Sequence, residues 1–315
     1  MKNYKKSKHN YLFVDEVQLC DHFELAINSL HNSEMFDIYI TGSNAFLLSS
    51  DLATLFTGRT YQIEVYPFSF KEYTQYFKLD YKDRYENFEK YLFEGGFAGS
   101  YLYKTINEKY SYINKEVTET IIKRDLIDRY KIRNCKVLNN LVDFLFDNVS
   151  NSTTSNSITD TLIKKDELIT RKTVAKYIDY LCKAFVFYKM NRYDLKGKSY
   201  LATDNKYYLS DTSLRYARLG TKNLDRGRML ENVVAIELLR RGYDVYIGKL
   251  YQKEIDFVAT KGGEKIYIQV SDDISLASFA GNLKILSRTK TLNPDVYQHW
   301  AAVAKILPDW QPEVL

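Results

Sequence analysis

Histidine is scarce in this 315-residue chain. There are four, at His9, His22, His31 and His299, so nothing between residues 32 and 298 supplies an imidazole. That excludes a Ser-His-Asp or Cys-His nucleophile and a His-rich zinc site from the body of the chain. The three cysteines, Cys20, Cys135 and Cys182, lie far apart and give neither a disulfide framework nor a zinc ribbon. Four prolines and 13 glycines exclude a collagen-like or low-complexity architecture. No apolar run reaches the ~18–20 residues of a membrane span, so no membrane partner is expected. The opening MKNYKKSKHNYLFVDE is basic but lacks the apolar core of a secretory signal, and a cytoplasmic location is expected. Chemistry is left to carboxylates, lysine, arginine and hydroxyls, which favours magnesium and phosphate.

The chain has the composition of an ordinary globular protein. Hydrophobic residues make up 45% and charged residues 27%, and 28 Tyr and 17 Phe allow large cores. The length suits two domains or three small ones. The net charge of +5 is unevenly placed. Residues 2–8 carry four Lys, and residues 164–198 carry ten Lys/Arg against four Asp/Glu. Such a concentration is either a solvated helix face or a face for a polyanion.

Apolar periodicity predicts strands at Tyr11–Asp15, Asp37–Thr41 and Thr60–Val65, with helices at Phe23–Leu30 and Ser49–Phe56 between them. Strands interleaved with helices imply a parallel α/β sheet. From Ser69 to Asn148 the pattern is helical, interrupted by the Gly-rich Phe93–Tyr101. Residues 149–161, VSNSTTSNSITDT, read as a loop. A helix at Thr170–Tyr188 precedes a β-rich segment to Leu209. Helices at Asp211–Leu219 and Arg228–Arg241 follow, then strands at Tyr243–Ile247, Glu254–Thr260 and Lys265–Val270. The last two strands are joined by a Lys-Gly-Gly turn.

LFVDE at 12–16 is an apolar strand ending in two acids, the Walker B pattern of P-loop ATPases. In that chemistry Asp15 would face a magnesium ion and Glu16 would activate the attacking water. IYITGSN at 38–44 ends 28 or 29 positions after Asp15, where an adjacent strand brings a sensor residue to the same sheet edge. Asn44 is the expected sensor and Ser43 the alternative. The ordinary reading is an α/β sheet with polar strand ends. No G-x-x-x-x-G-K-[ST] run, whose backbone N–H groups and Lys hold phosphates, occurs in the sequence.

LFVDEVQ, ITGSNAFLLSSDLATLFTGR, PFSFKEY, EGGFAGSYL and DRYKIRN together resemble the predicted AAA+-type ATPases of bacteria and archaea, whose C-terminal half is an uncharacterised domain. The resemblance continues to about residue 273 and implies ATP and magnesium as cofactors. It also implies that Arg59 contacts nucleotide or a neighbouring subunit. The sequence departs from the pattern in two places, the P-loop segment and the tail after Ser275, where a helix and a further strand are expected. It therefore reads as a truncated member without ATPase activity of its own. The alternative is an intact ATPase whose P-loop segment lies upstream of this start.

Two further constellations lie beyond residue 160. In helix 170–188, Val174, Tyr177, Ile178, Leu181 and Phe185 form an apolar stripe. Arg171, Lys172, Lys176 and Lys183 lie off it, and Thr170 is the N-cap. A strand–turn–strand containing Lys196 and Lys198 follows, so the segment resembles a winged helix. Such a unit either binds duplex DNA or only packs domains together. The second constellation is Glu231 on a helix, Asp256 on a strand and Gln269-x-Ser271 on the next. It resembles the PD-(D/E)XK pattern of restriction-endonuclease-like folds, in which two acids hold magnesium and a Lys assists. Here Gln stands for the second acid and Ser for the Lys, with Lys265 as a migrated replacement. The fold class is α/β: a partial P-loop ATPase sheet, a helical and winged-helix-like middle, and a restriction-endonuclease-like C-terminal domain. The expected divisions are 1–75, 76–205, 206–275 and an atypical tail, 276–315. The function expected is a nucleic-acid- or protein-binding module, with another protein, the chain itself or duplex DNA as partner. A magnesium-dependent nuclease is the enzymatic alternative.

Overall fold

The structure, a computed structural model, describes residues 9–42, 59–164, 169–194, 199–221, 226–250 and 253–270. The chain divides into two compact units. One comprises residues 1–65 with Asp179–Val186, the other Tyr66–Ile178 with the remainder from Phe187.

In the first unit, strands β1 (Tyr11–Val14) and β2 (Asp37–Ile40) pair in parallel, Tyr11 opposite Asp37 and Val14 opposite Ile40. Helix α1 (Phe23–Asn32) makes the crossover, the connection that a parallel pair requires. Val17 and Phe23 are buried here, packed by Val14, Ile27 and Ile40. Alternation along the strands turns Tyr11, Phe13 and Tyr39 to the opposite face, where they are exposed. The Phe13 and Tyr39 rings stack there at 5.1 Å. The predicted strand at Thr60–Val65 is not formed. Tyr61, Ile63 and Val65 are 90%, 71% and 87% exposed, and alternation without a partner ladder does not hold a strand. The predicted helix at Ser49–Phe56 lies outside the described residues.

The second unit opens with helices, and three of its described helices are started by reciprocal capping boxes. For α2 (Phe70–Phe77) the box is Ser69 with Glu72. Helix α3 (Arg84–Glu94) follows. Helix α4 (Ile106–Tyr112), boxed by Thr105 and Glu108, runs on into π-helical turns at Ile113–Thr118 and Ile121–Asp128. Tyr73, Phe88, Tyr91, Leu92 and Tyr101 make an aromatic core that Leu230 completes. Helix α5 (Cys135–Asp147) comes next. The segment read as a loop at 149–161 contains helix α6 (Ser155–Ile163). Its Ser/Thr/Asn composition conceals a Thr154 cap and the i, i+4 pair Ile158 and Leu162, both fully buried.

Helix α7 (Arg171–Lys183) is followed by strands β3 (Phe187–Asp194) and β4 (Ser199–Leu209). An isolated antiparallel bridge joins Thr153, between α5 and α6, to Asn205 on β4. Helices α8 (Ser213–Leu219) and α9 (Arg226–Arg240) precede strands β5 (Asp244–Leu250), β6 (Lys253–Lys261) and β7 (Glu264–Ile268). The sheet order is β4-β3-β5-β6-β7, antiparallel throughout except for β3 beside β5. Strands β3 and β4 and the three C-terminal strands thus share one sheet. Gly262 and Gly263, at φ 57° and 90°, close the β6–β7 hairpin. Two successive positive φ values define a type I′ turn, which suits strand twist and which glycine adopts without strain. Helix α9 packs Val234, Ala235, Ile236 and Leu238 with Tyr208, Ile247, Phe257 and Ile268 of the sheet. Full burial of one such side chain contributes roughly 1.5–3 kcal/mol.

The Gly-rich interruption has a structural role. Asp211 is buried, and its Oδ2 accepts a 2.5 Å bond from the Gly96 N–H. Its Oδ1 accepts from the Ser213 amide at 2.9 Å and from the Ser213 hydroxyl. The Gly96 carbonyl accepts from the Phe68 N–H at 2.8 Å. A Cβ at Gly96 would overlap the Phe68 backbone. Gly96→Ala is therefore expected to destabilise the chain by on the order of 2–3 kcal/mol, measured by denaturant unfolding. Gly262→Asn, where a Cβ meets open space and Asn suits the turn, is expected to stay within about 0.5 kcal/mol.

Candidate functional site

At their carboxyl ends β1 and β2 lie side by side. Thr41, the first residue after β2, donates its hydroxyl to Asp15 Oδ1. The Glu16 N–H donates to Thr41 Oγ1 at 3.2 Å. Backbone bonds from Val17 to Thr41 and from Thr41 to Val14 hold the two strand ends together. Glu16 itself is left-handed, at φ 47° and ψ 50°, a conformation uncommon for a residue with a side chain. Asp15 is exposed, and an exposed carboxylate oriented by a hydroxyl fits a magnesium-facing role. Asn44, with its alternative Ser43, lies outside the described residues; Arg59 is exposed.

The other acids converge where helix α9 meets the larger sheet. Lys206 on β4 is buried, and its ammonium lies 2.9 Å from Glu231 Oε1 and 2.6 Å from Glu254 Oε1. The Tyr208 hydroxyl donates to the same Glu231 oxygen at 2.5 Å. Arg192 on β3 donates to Glu254 Oε2 at 2.6 Å and to Ser152 at 2.7 Å. Asp256 Oδ2 accepts from the Gln269 side-chain amide at 2.6 Å and from the Val270 N–H at 2.7 Å. The structure thus brings Glu231, Asp256 and Gln269 into one cluster. Lys265 does not serve it; its ammonium lies over the Tyr193 ring, 4.7 Å from the centroid. Ser271 lies outside the described residues.

Burial governs the electrostatics. It pushes the Asp256 carboxyl up to about 7, helped by the Glu231 charge and opposed by the Val270 N–H and Lys206. Burial likewise raises Glu231, against the pull of Lys206 and Tyr208. The two glutamates beside Lys206 outweigh its own desolvation and hold it above the usual lysine range. Lys206 is therefore firmly charged. Three acids and two cations share the cluster, and burial tilts both Asp256 and Glu231 toward the protonated form.

On α7, Val174, Tyr177, Ile178 and Leu181 are buried and Arg171, Lys172, Lys176 and Lys183 are exposed, whereas Phe185, the last residue of the expected stripe, lies beyond the helix end and is half-buried. Thr170 Oγ1 accepts from the Thr173 amide at 3.2 Å, the expected cap. Arg171 lies 4.0 Å from Asp160, and Lys183 lies 2.8 Å from Asp179. Lys196 and Lys198 lie outside the described residues.

Sequence reasoning missed Thr41, Arg192, Lys206, Tyr208 and Glu254. A signal existed in the strands. Lys206 and Tyr208 are two apart, as are Glu254 and Asp256, so each pair shares a sheet face. A charged residue inside an aromatic strand such as NKYYLS needs a buried counter-charge.

Comparison with known proteins bears on the N-terminal part first. Residues 1–74 match the family described as an AAA domain, and residues 85–225 match a domain of unknown function (DUF8612). The N-terminal part is thus an AAA-like domain, in keeping with the strand-end geometry at Asp15. The chain is 39% identical over 270 residues to an uncharacterized protein of Haemophilus influenzae, covering 84% of this chain and 66% of the relative. It is 32% identical over 277 residues to an uncharacterized protein of Methanocaldococcus jannaschii, covering 84% and 61%. The chain spans a little under two thirds of the length of these relatives. No helix among the described residues is long and apolar enough to cross a membrane.

Asp256 generates a pH prediction. Its folded pKa lies above the unfolded value, so between about pH 4 and 7 the native state binds more protons than the unfolded one. Stability contributed by this group is present at low pH and lost as pH rises through 7, by on the order of a few kcal/mol. Asp256→Asn keeps an acceptor and removes the titration. The fall in thermal stability from pH 5 to pH 8 is expected to be smaller in this variant than in the wild type.

Proposed function

We propose that this chain is an AAA-derived duplex-DNA-binding protein whose C-terminal half holds DNA without cutting it. The observation that carries the reading is the Thr153–Asn205 bridge. It ties the segment between α5 and α6 to the β3–β4 hairpin, so that helix, short strand, helix, helix and hairpin follow in winged-helix order. In such a unit the third helix enters the major groove and the hairpin meets phosphates. Arg171, Lys172 and Lys176 on that helix are exposed, which supports the assignment. The sheet that β3 and β4 share with β5, β6 and β7 is read as restriction-endonuclease-like, with Glu231 on the helix before β5, Asp256 on β6 and Gln269 just after β7.

The AAA-like domain adds a nucleotide reading. Magnesium, when bound with ATP, neutralises phosphate charge; Asp15 would hold it through water, with Thr41 fixing the carboxylate and Glu16 orienting a nucleophilic water. Asn44 and Arg59 would flank the nucleotide. The 315 residues contain no phosphate-cradling G-x-x-x-x-G-K-[ST]. A calorimetric titration is therefore expected to show no micromolar ATP affinity for this chain, because backbone N–H donors around the phosphates supply much of that affinity.

DNA binding is tested by fluorescence anisotropy with a duplex at several salt concentrations. Binding is expected to weaken with salt, with a slope of roughly −0.9 per phosphate contact. Lys172→Glu with Lys176→Glu is expected to weaken binding and flatten that slope. Unchanged affinity in the double variant would assign the helix to packing and make a protein the better candidate partner.

A further inference from the structure

We infer that the Lys206 ammonium is a built-in cation standing where a nuclease of this type would hold its divalent metal, so that the acid cluster is closed to metal. The inference rests on the restriction-endonuclease-like reading of this sheet. That pattern implies magnesium between Glu231, Asp256 and the residue at 269, and the side chains present do not fit it.

Three observations make the case. First, the donor set is wrong for a hard divalent cation. Magnesium demands oxygen ligands, most often carboxylates, yet position 269 is Gln. It presents its nitrogen toward Asp256, donating at 2.6 Å. The one Asp256 oxygen bonded there already accepts the Val270 N–H as well. Second, the charge that a metal would supply is already supplied. The Lys206 ammonium lies within 2.9 Å of both Glu231 and Glu254, and its side chain is only 6% exposed. It reaches the acids from β4, the far edge of the sheet from β7. Third, among the described residues no three acids are arranged to hold a metal ion. The spacing instead suits a monovalent ammonium with directional N–H donors.

An internal ammonium is a substitution with consequences. It keeps the helix-to-sheet junction charged and satisfied without a bound ion. It also removes the Lewis acid and the metal-activated water on which this class of hydrolysis depends. The same exchange ties stability to Lys206, because removing one partner of a buried pair leaves the other charge uncompensated.

Thermal unfolding of the full chain with and without millimolar MnCl2, together with Mn2+ binding followed by electron paramagnetic resonance, tests the inference. The wild-type midpoint is expected to be unmoved by Mn2+. Lys206→Met is expected to lower the midpoint, and Mn2+ is expected to restore part of the loss, with affinity for Mn2+ about tenfold or more above the wild type. If Lys206→Met does not fold, Lys206→Met with Glu254→Gln removes one charge of each sign and carries the same comparison. Saturable wild-type stabilisation by Mn2+ that disappears in Asp256→Asn would overturn the inference. So would a folded Lys206 variant that gains no Mn2+ binding. DNA affinity, read separately through the Lys172/Lys176 variant, fails or survives independently of these outcomes.

Discussion

The larger unit depends on how helix α9 is fastened to its sheet. Apolar packing of Val234, Ala235, Ile236 and Leu238 supplies the driving force, but it is non-directional. Direction comes from two adjacent polar residues. Asn232 accepts from the Leu209 N–H at 2.7 Å and donates to its carbonyl at 3.0 Å, continuing the β4 ladder with a side chain. Glu231, one residue earlier, takes the Lys206 ammonium and the Tyr208 hydroxyl. A helix that binds a strand through a charge and an amide cannot slide along it without breaking both.

A second buried junction shows the same physics at smaller scale. Lys109 is 6% exposed, and its ammonium meets Glu94 at 2.6 Å and lies over the Phe77 and Tyr101 rings. Tyr73 donates to the same Glu94 oxygen at 3.2 Å. Tyrosine recurs in these networks because it adds a donor to a large apolar body. Buried tyrosines such as Tyr73 and Tyr208 are thus core residues that carry their own hydrogen bonds. Their titration follows: burial, with Glu94 adding to it, raises the Tyr73 phenol, and burial with the Glu231 charge does so for Tyr208.

The two strand-end clusters differ in kind. Asp15 is exposed and oriented by the Thr41 hydroxyl, which leaves it accessible to a ligand. Asp256 is buried, and its Oδ2 already accepts from the Gln269 side chain and the Val270 N–H. An acid at the end or middle of an apolar strand looks the same in both places on paper. Solvent access and the neighbouring donors separate them.

Local pattern determined a good deal by itself. LFV-DE and DIYIT specified two strands, and their interleaved helix made the pair parallel, but one face of each strand is exposed rather than buried. The stripe Val174, Tyr177, Ile178, Leu181 specified the α7 face, and Gly262-Gly263 specified a hairpin turn. These are short-range facts, fixed by side-chain periodicity and backbone freedom. The helix at Ser155–Ile163 escaped notice because its polar residues outnumber the two apolar ones it buries, Ile158 and Leu162. The missing strand at Thr60–Val65 had the right alternation and no partner. Only the tertiary structure joined Lys206 to Glu231 and Glu254, residues 25 and 48 positions away. Neither a period nor a composition encodes which strand lies beside which, and the meaning of a buried lysine resides in the charges that the fold sets around it.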